Sequence, residues 1–293
     1  MSRFTHILCP VDFSDTSQHA LDHAAAIAHR DQARLSVFYV FVNVPTMDLP
    51  PLVLTPADRE RLRVDLRKMC ANVPAGVRID LQVLEAERAH RTILAEQAES
   101  GADLLVLGTH GRSGFQHLVL GSTTEKVIRK ATCPTLVVPP RAGDVAPGAP
   151  VRTNRILCPI DFSDSSMTAL ARAREMGEET GARLTVIAVV DIGHELRDSA
   201  MLANVDVEGL VRTTETETRR RLAALAGRGV HTIDAVVASG PAARTVLERA
   251  ARDGTDLIVM GVHGRGALDL RLFGSTTHGV IRGATCPVLV VPS

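Results

Sequence analysis

The chain predicts an α/β protein made of two similar domains in tandem, each a parallel sheet with helices on both faces. Three observations predict this. Short apolar runs alternate with amphipathic segments throughout, the pattern of a parallel sheet joined by helical crossovers. His6-Ile7-Leu8-Cys9-Pro10-Val11-Asp12-Phe13-Ser14-Asp15 returns as Arg155-Ile156-Leu157-Cys158-Pro159-Ile160-Asp161-Phe162-Ser163-Asp164. The closing run Ala131-Thr132-Cys133-Pro134-Thr135-Leu136-Val137-Val138-Pro139 returns as Ala284-Thr285-Cys286-Pro287-Val288-Leu289-Val290-Val291-Pro292. A repeat of domain length implies two domains rather than a solenoid. The expected divisions are 1–140 and 153–293, with 141–152, rich in Pro and Gly, as the linker.

In chain order, the first half reads as a strand at 5–11, then a helix at 16–30. Asp15, Thr16 and Ser17 offer caps, and Leu21, Ala24, Ala25 and Ala28 form the apolar face. Arg34 to Val42 is a second strand. Val44 to Pro56 is too rich in proline for a helix and reads as a loop. Asp58 to Cys70 is a charged helix with Leu62, Leu66 and Met69 inward, and Val77 to Leu84 a third strand. Arg88 to Glu99 is a helix carrying Ile93, Leu94 and Ala98. Ala102 to Leu107 is a short apolar run bounded by turn signals, hence a buried strand. Glu125 to Lys130 is a helix whose last turn is cationic. The second half repeats this order, with a longer charged helix over Val207 to Ala226.

Between the fourth strand and fourth helix lies Gly108-Thr109-His110-Gly111-Arg112-Ser113-Gly114, followed after an apolar spacer by Gly121-Ser122-Thr123-Thr124. The second copy reads Gly261-Val262-His263-Gly264-Arg265, closing with Gly274-Ser275-Thr276-Thr277. Gly121 stands ten positions after Gly111, and Gly274 ten positions after Gly264. Strand, glycine loop, helix is the construction of an anion cradle. Gly108 and Gly111 permit positive φ and close approach. Gly121-Ser122 stands where a helix begins, with unpaired N–H groups and the positive end of its dipole outward. A nucleotide phosphate is the expected occupant. Ligands of parallel sheets bind beyond the carboxyl ends of the strands, where strand order reverses. Asp12 with Gly108, and Asp161 with Gly261, lie on that edge.

Two roles fit Asp12 and Asp161: accepting hydrogen bonds from a ribose or helping to hold a metal, and capping the helix that follows. Arg112 and Arg265 fit either phosphate neutralisation or a solvated loop position. His110 and His263 have no assignable nucleophile or orienting carboxylate beside them, so a loop-shaping role is favoured over catalysis. His19 and His23 have the i,i+4 spacing of metal ligands but lack a third. The Walker lysine of a P-loop is absent, as is a G-x-G-x-x-G after the first strand. No base for an attacking water is evident. A binder or switch is therefore expected before a fast hydrolase.

Composition narrows the class. The 293 residues carry 33 basic and 33 acidic side chains, which disfavours general attraction to nucleic acid or an anionic membrane. There is no Trp and one Tyr, too few for a base-stacking platform. No apolar run has transmembrane length, and the amino-terminal residues lead directly into a strand without a secretory leader. The five cysteines, Cys9, Cys70, Cys133, Cys158 and Cys286, include no C-x-x-C pair. They read as buried apolar residues in a reducing cytoplasm.

On these residues the chain resembles the universal stress protein family over almost its whole length. The family's G-x-x-G, nine residues, G-[ST] stands as Gly108, Gly111, Gly121, Ser122 and as Gly261, Gly264, Gly274, Ser275. Its opening Val-Asp-x-Ser-x-x-Ser stands as Val11-Asp12-Phe13-Ser14 with Ser17. In the second half Ile160-Asp161-Phe162-Ser163 with Ser166 takes its place. The Cys-Pro-Val-Leu-Val-Val ending is present twice, with Thr135 for the first Val in the first half. The resemblance implies a five-stranded parallel sheet of order 3-2-1-4-5 in each domain. It implies ATP with a divalent ion such as Mg2+, which Asp12 and Asp161 are positioned to meet through Mg-ATP. Backbone near Val40 and Val189 is expected beside the adenine and Asp12 or Asp161 beside the ribose. The phosphates are expected on the glycine loop with Ser122 and Thr123, or Ser275 and Thr276. It further implies pairing of the last strands, Leu136 to Val138 with Leu289 to Val291, and a homodimer is compatible. One departure stands out: Ser239-Gly240-Pro241 precedes the third helix of the second half, where the first has Glu85-Ala86-Glu87-Arg88. The expected function is an ATP-binding stress-response regulator or switch with an unidentified protein partner. A slow ATP hydrolase and a ligand-free dimerisation module are the alternatives.

Overall fold

The computed structural model describes residues 4–43, 53–111, 120–146, 148–149, 151, 153–191, 207–226, 233–264 and 274–292. Contacts divide the chain into two compact units. One holds Arg3–Arg152 and Thr285–Pro292; the other centres on Thr153–Ala284.

The first unit runs β1 (His6–Val11), α1 (Asp15–Asp31), β2 (Arg34–Val42), α2 (Pro56–Met69), β3 (Arg78–Ala86), α3 (Ala89–Ser100), β4 (Leu104–Gly108), α4 (Ser122–Ile128) and β5 (Thr135–Val138). The second runs β6 (Arg155–Ile160), α5 (Asp164–Thr180), β7 (Arg183–Val190), α6 (Val207–Ala226), β8 (Ile233–Ser239), α7 (Ala242–Asp253), β9 (Leu257–Gly261) and α8 (Ser275–Gly283). The last strand, β10 (Val288–Val291), groups with the first unit.

In the first unit the strand order is β3-β2-β1-β4-β5, and the pairs β1–β2, β2–β3, β1–β4 and β4–β5 are parallel. The second shows β8-β7-β6-β9, with all three pairs parallel. This is the expected α/β class, with the reversal of order beside β1 and beside β6. β10 runs antiparallel to β5, with Leu289 opposite Leu136 and Val288 opposite Val137.

Central strands are covered on both faces, which is why they read as continuous apolar runs. Ile7, Leu8, Cys9, Leu105 and Val106 are fully buried, as are Leu157, Cys158, Ile258 and Val259. Pro10 and Pro159 explain a further feature. A proline donates nothing to a ladder. The β1–β4 ladder registers only Ile7 with Leu104 and Leu8 with Leu105, and β6–β9 only Ile156 with Leu257 and Leu157 with Ile258. Beyond the proline the strands part, at the carboxyl ends where a ligand crevice belongs. At the amino ends the strands are tied instead. Asp103 accepts from the backbone of Thr5 and His6 at 2.8 and 3.0 Å, and Asp256 from Asn154 and Arg155 at 2.9 and 3.0 Å.

Helix starts correct the sequence reading. The cap of α1 is Ser14, extended at φ −86° and ψ 159°, with its hydroxyl accepting the Ser17 N–H at 3.2 Å. Ser163 does the same for α5. Asp15, Thr16 and Ser17 lie inside α1, because the extended residue that can turn its side chain onto the first turn is Ser14. α2 begins at Pro56, two residues before Asp58 and within the stretch read as loop. Thr55 and Asp58 form a reciprocal capping box, and Pro56 supplies the ready-made φ of a first helical residue. The remainder of that loop, 44–52, lies outside the described residues. The Glu85–Arg88 departure is genuine: Gly240 sits at φ +136°, and no residue of 85–88 takes a positive φ.

Candidate functional site

The site assembles where β1 and β4, or β6 and β9, part. Continuing the β1–β2 register places Val40 beside Asp12, since Val11 is level with Tyr39. Continuing β6–β7 places Val189 beside Asp161, since Ile160 is level with Ala188. The same continuation brings Gly108 level with Val11 and Gly261 level with Ile160. The sequence-distant candidates Asp12, Val40 and Gly108 thus share one edge, as do Asp161, Val189 and Gly261.

Each Asp uses one oxygen to form the turn before its helix. Asp12 Oδ1 accepts from the backbone N–H of Ser14 at 3.2 Å and from its hydroxyl at 2.6 Å, a turn-forming use. Asp161 Oδ1 repeats this with Ser163 at 3.1 and 2.5 Å. The other oxygen faces the loop. A side chain at Gly111 would run into Asp12 Oδ2, and one at Gly264 would come within 2.8 Å of Asp161 Oδ2. The carboxylate edges and glycine loops are therefore adjacent in both units.

The glycines serve close approach, and the expected positive φ is not what they supply. None of Gly108, Gly111, Gly261 and Gly264 takes a positive φ. A Cβ at Gly108 would meet Thr16 Cγ2 at 2.9 Å and Thr16 O at 3.0 Å. At Gly261 it would meet the Ser165 backbone at 2.8 Å. These glycines let the first turn of α1 or α5 rest on the end of β4 or β9.

At the helix starts, the amide of Gly121 is not unpaired as expected; it donates to Thr109 O at 2.8 Å, and Gly274 to Val262 O at 3.3 Å. That bond folds the loop back onto the strand end. The donors that face outward come one residue later. Neither α4 nor α8 has a side-chain cap, a lack shared with α3 and α7, whereas α1, α2 and α5 are capped. Ser122 and Ser275 are exposed there, with Thr123 and Thr276 half-buried beside them. Thr124 and Thr277 turn inward and donate to Gly108 O and Gly261 O at 2.9 and 3.0 Å. Sequence reading gave those two threonines no role, although their recurrence at the same spacing was the available signal.

Phe13 and Phe162 also escaped the sequence reading. They adopt φ 63° and 62°, a left-handed conformation costing a bulky residue roughly 1–3 kcal/mol and found where surrounding structure fixes it. The Phe13 ring lies 4.8 Å from Tyr39, and Arg221 stands 4.0 Å over the Phe162 ring.

His110 Nδ1 meets Thr109 Oγ1 at 2.8 Å, and the backbone N–H of His263 donates to Ser165 Oγ at 3.4 Å, loop-shaping contacts in both units. Arg112 and Arg265 lie outside the described residues. Among the described residues no three His, Cys, Asp or Glu side chains converge as metal ligands. His19 and His23 are engaged otherwise: the His19 ring bonds Ala142 O at 3.0 Å, and His23 donates to His19 O at 3.0 Å. Burial pushes the His23 imidazole down to about 4. It also pushes the thiols up, Cys70 to about 11 and Cys133 and Cys158 to about 12. None of these three is a thiolate nucleophile at neutral pH. No helix among the described residues is long and apolar enough to cross a membrane.

Comparison with known proteins adds to this geometry. The model of the universal stress protein family matches residues 3–139 and again 152–292. A universal stress protein of Methanocaldococcus jannaschii is 35% identical over 144 residues, covering 46% of this chain and 82% of that protein. One from Bacillus subtilis is 33% identical, covering 46% and 99%. Among solved structures, a universal stress protein from Archaeoglobus fulgidus is similar with a TM-score of 0.65 at 19% identity, covering 98% of both chains. That likeness concerns the fold.

Proposed function

Because the chain belongs to the universal stress protein family, with one family unit in each half, we propose that it binds ATP in both units and acts as a nucleotide-dependent regulator. The observation that carries this is the duplicated meeting of a carboxylate with a side-chain-free loop, Asp12 with Gly111 and Asp161 with Gly264. Beside each stands a helix start that no side chain caps. First-turn amides and hydroxyls at Ser122 and Thr123, and at Ser275 and Thr276, donate to the phosphate chain in this reading. Asp12 and Asp161 accept from the ribose hydroxyls, and the strand-end backbone at Val40 and Val189 flanks the adenine. Arg112 and Arg265 add charge to the same loops. The divalent ion is a hard cation held chiefly by phosphate oxygens, and the carboxylates offer the matching oxygen chemistry.

The domain limits 1–140 and 153–293, and a cytoplasmic setting in which the free thiols stay reduced, belong to the same proposal. A nucleotide bound only to the folded state raises stability by about 2.7 kcal/mol at a hundredfold excess over Kd. Addition of millimolar ATP with Mg2+ is expected to raise the melting temperature. It is also expected to slow amide exchange at 108–111, 121–124, 261–264 and 274–277. No change in either quantity overturns the proposal.

A further inference from the structure

The two units differ beside their strand-end phenylalanines. In the first, Tyr39 on β2 lies against Phe13. The corresponding residue of β7 is Ala188, level with Ile160 as Tyr39 is level with Val11. In the second unit the ring contact is made instead by Arg221 of α6, whose guanidinium carbon stands 4.0 Å above the Phe162 ring. Phe162 adjoins Asp161 in the chain. Arg221 is half-buried, and its charge also acts on the Glu217 carboxylate one turn earlier. Its neighbour Arg220, by contrast, is held by both oxygens of Glu217 at 2.7 and 2.8 Å. An arginine fixed over an aromatic face keeps its planar donor fork and loses little further freedom on binding an anion.

Position indicates which anion. α6 packs against β7 and β8. In the order β8-β7-β6-β9 these lie on the far side of β6 from β9 and the glycine loop. In the reading above the phosphate chain lies toward β9, the adenine toward β7 and the ribose at Asp161 between them; Arg221, over the residue that follows Asp161 and on the β7 side, is at the ribose end. We propose that Arg221 makes the second unit's site selective for adenine nucleotides bearing a phosphate on the ribose 2′- or 3′-hydroxyl, a preference the first unit lacks. This rests on the nucleotide reading above.

The test is titration calorimetry of the full chain with AMP, ATP, adenosine 2′,5′-bisphosphate and adenosine 3′,5′-bisphosphate. It is repeated for R221Q, G121V and G264V, with circular dichroism confirming each fold. At one site of the wild-type chain, a bisphosphate is expected to bind about tenfold or more tighter than AMP, the worth of one charge-assisted contact. That ratio is expected to fall to about one in R221Q, to persist in G121V and to vanish in G264V. Equal binding of AMP and both bisphosphates by the wild-type chain overturns the assignment. So does a ratio that survives R221Q, or one lost in G121V and kept in G264V. If AMP and ATP bind while the bisphosphates show no preference, the assignment alone falls. If none of the four binds, the nucleotide reading falls with it.

Discussion

Replacing Gly121 with Val isolates the first helix start. Its backbone, at φ −59° and ψ 135°, suits any residue, so the substitution adds no intrinsic backbone strain. The cost is steric. A Cβ there would lie 3.2 Å from Thr109 O and 3.7 Å from His110 Cα, and valine adds two methyl groups beyond it. Thr109 O is also the acceptor for the Gly121 N–H at 2.8 Å, so the carbonyl cannot retreat without losing that bond. Overpacking of this kind costs about 1–3 kcal/mol, and the lost hydrogen bond about 1 kcal/mol. For the ligand, the displaced loop forfeits one charge-assisted contact, about 1.5–3 kcal/mol, or roughly ten- to a hundredfold in affinity. Isothermal titration with Mg-ATP is expected to show one strong site in G121V where the unaltered chain shows two. G274V, whose Cβ would lie 3.3 Å from Val262 O, is expected to silence the other. Unchanged stoichiometry and affinity in G121V, with the fold intact by circular dichroism, would refute the reasoning.

Three further predictions concern the scaffold. G261A sets a Cβ against the Ser165 backbone at 2.8 Å and should lower stability in urea by about 1–3 kcal/mol as α5 is pushed off β9. S14A removes the α1 cap and the hydroxyl donated to Asp12 Oδ1 at 2.6 Å, and should cost about 0.5–2 kcal/mol in the same assay. His23 has its folded pKa lowered to about 4 from 6.5, chiefly by burial, so the unfolded chain binds more protons between those values. Its contribution is complete above about pH 6.5 and is lost as pH falls toward 4, amounting to roughly 3 kcal/mol at most. Urea titrations at pH 7 and pH 5 should show a steeper loss for the unaltered chain than for H23L.

Much of the scaffold was readable because burial on both faces leaves a direct trace. The apolar runs of β1, β4, β6 and β9 were visible wherever helices cover them. The duplicated glycine spacing likewise announced both loops. The reasons for those glycines were not readable. Gly108 makes room for Thr16, and Gly111 for Asp12, residues almost a hundred positions earlier that only the fold brings close. Helix starts moved for a related reason. Ser14, Asp15, Thr16 and Ser17 are similar in capping chemistry, and the extended backbone that selects Ser14 is set by the turn Asp12 forms. The left-handed Phe13 and Phe162 have no local signature, since Asp-Phe-Ser favours no positive φ. Arg221 over Phe162 joins residues far apart in sequence, which only the packing of α6 on the sheet brings together.

The most direct measurement of the central claim is native mass spectrometry of the intact chain equilibrated with Mg-ATP, counting nucleotides per polypeptide. Two bound ATP molecules are predicted, with G264V retaining one and the double variant G121V/G264V none. A folded, unaltered chain that carries no nucleotide at millimolar ATP would contradict the account.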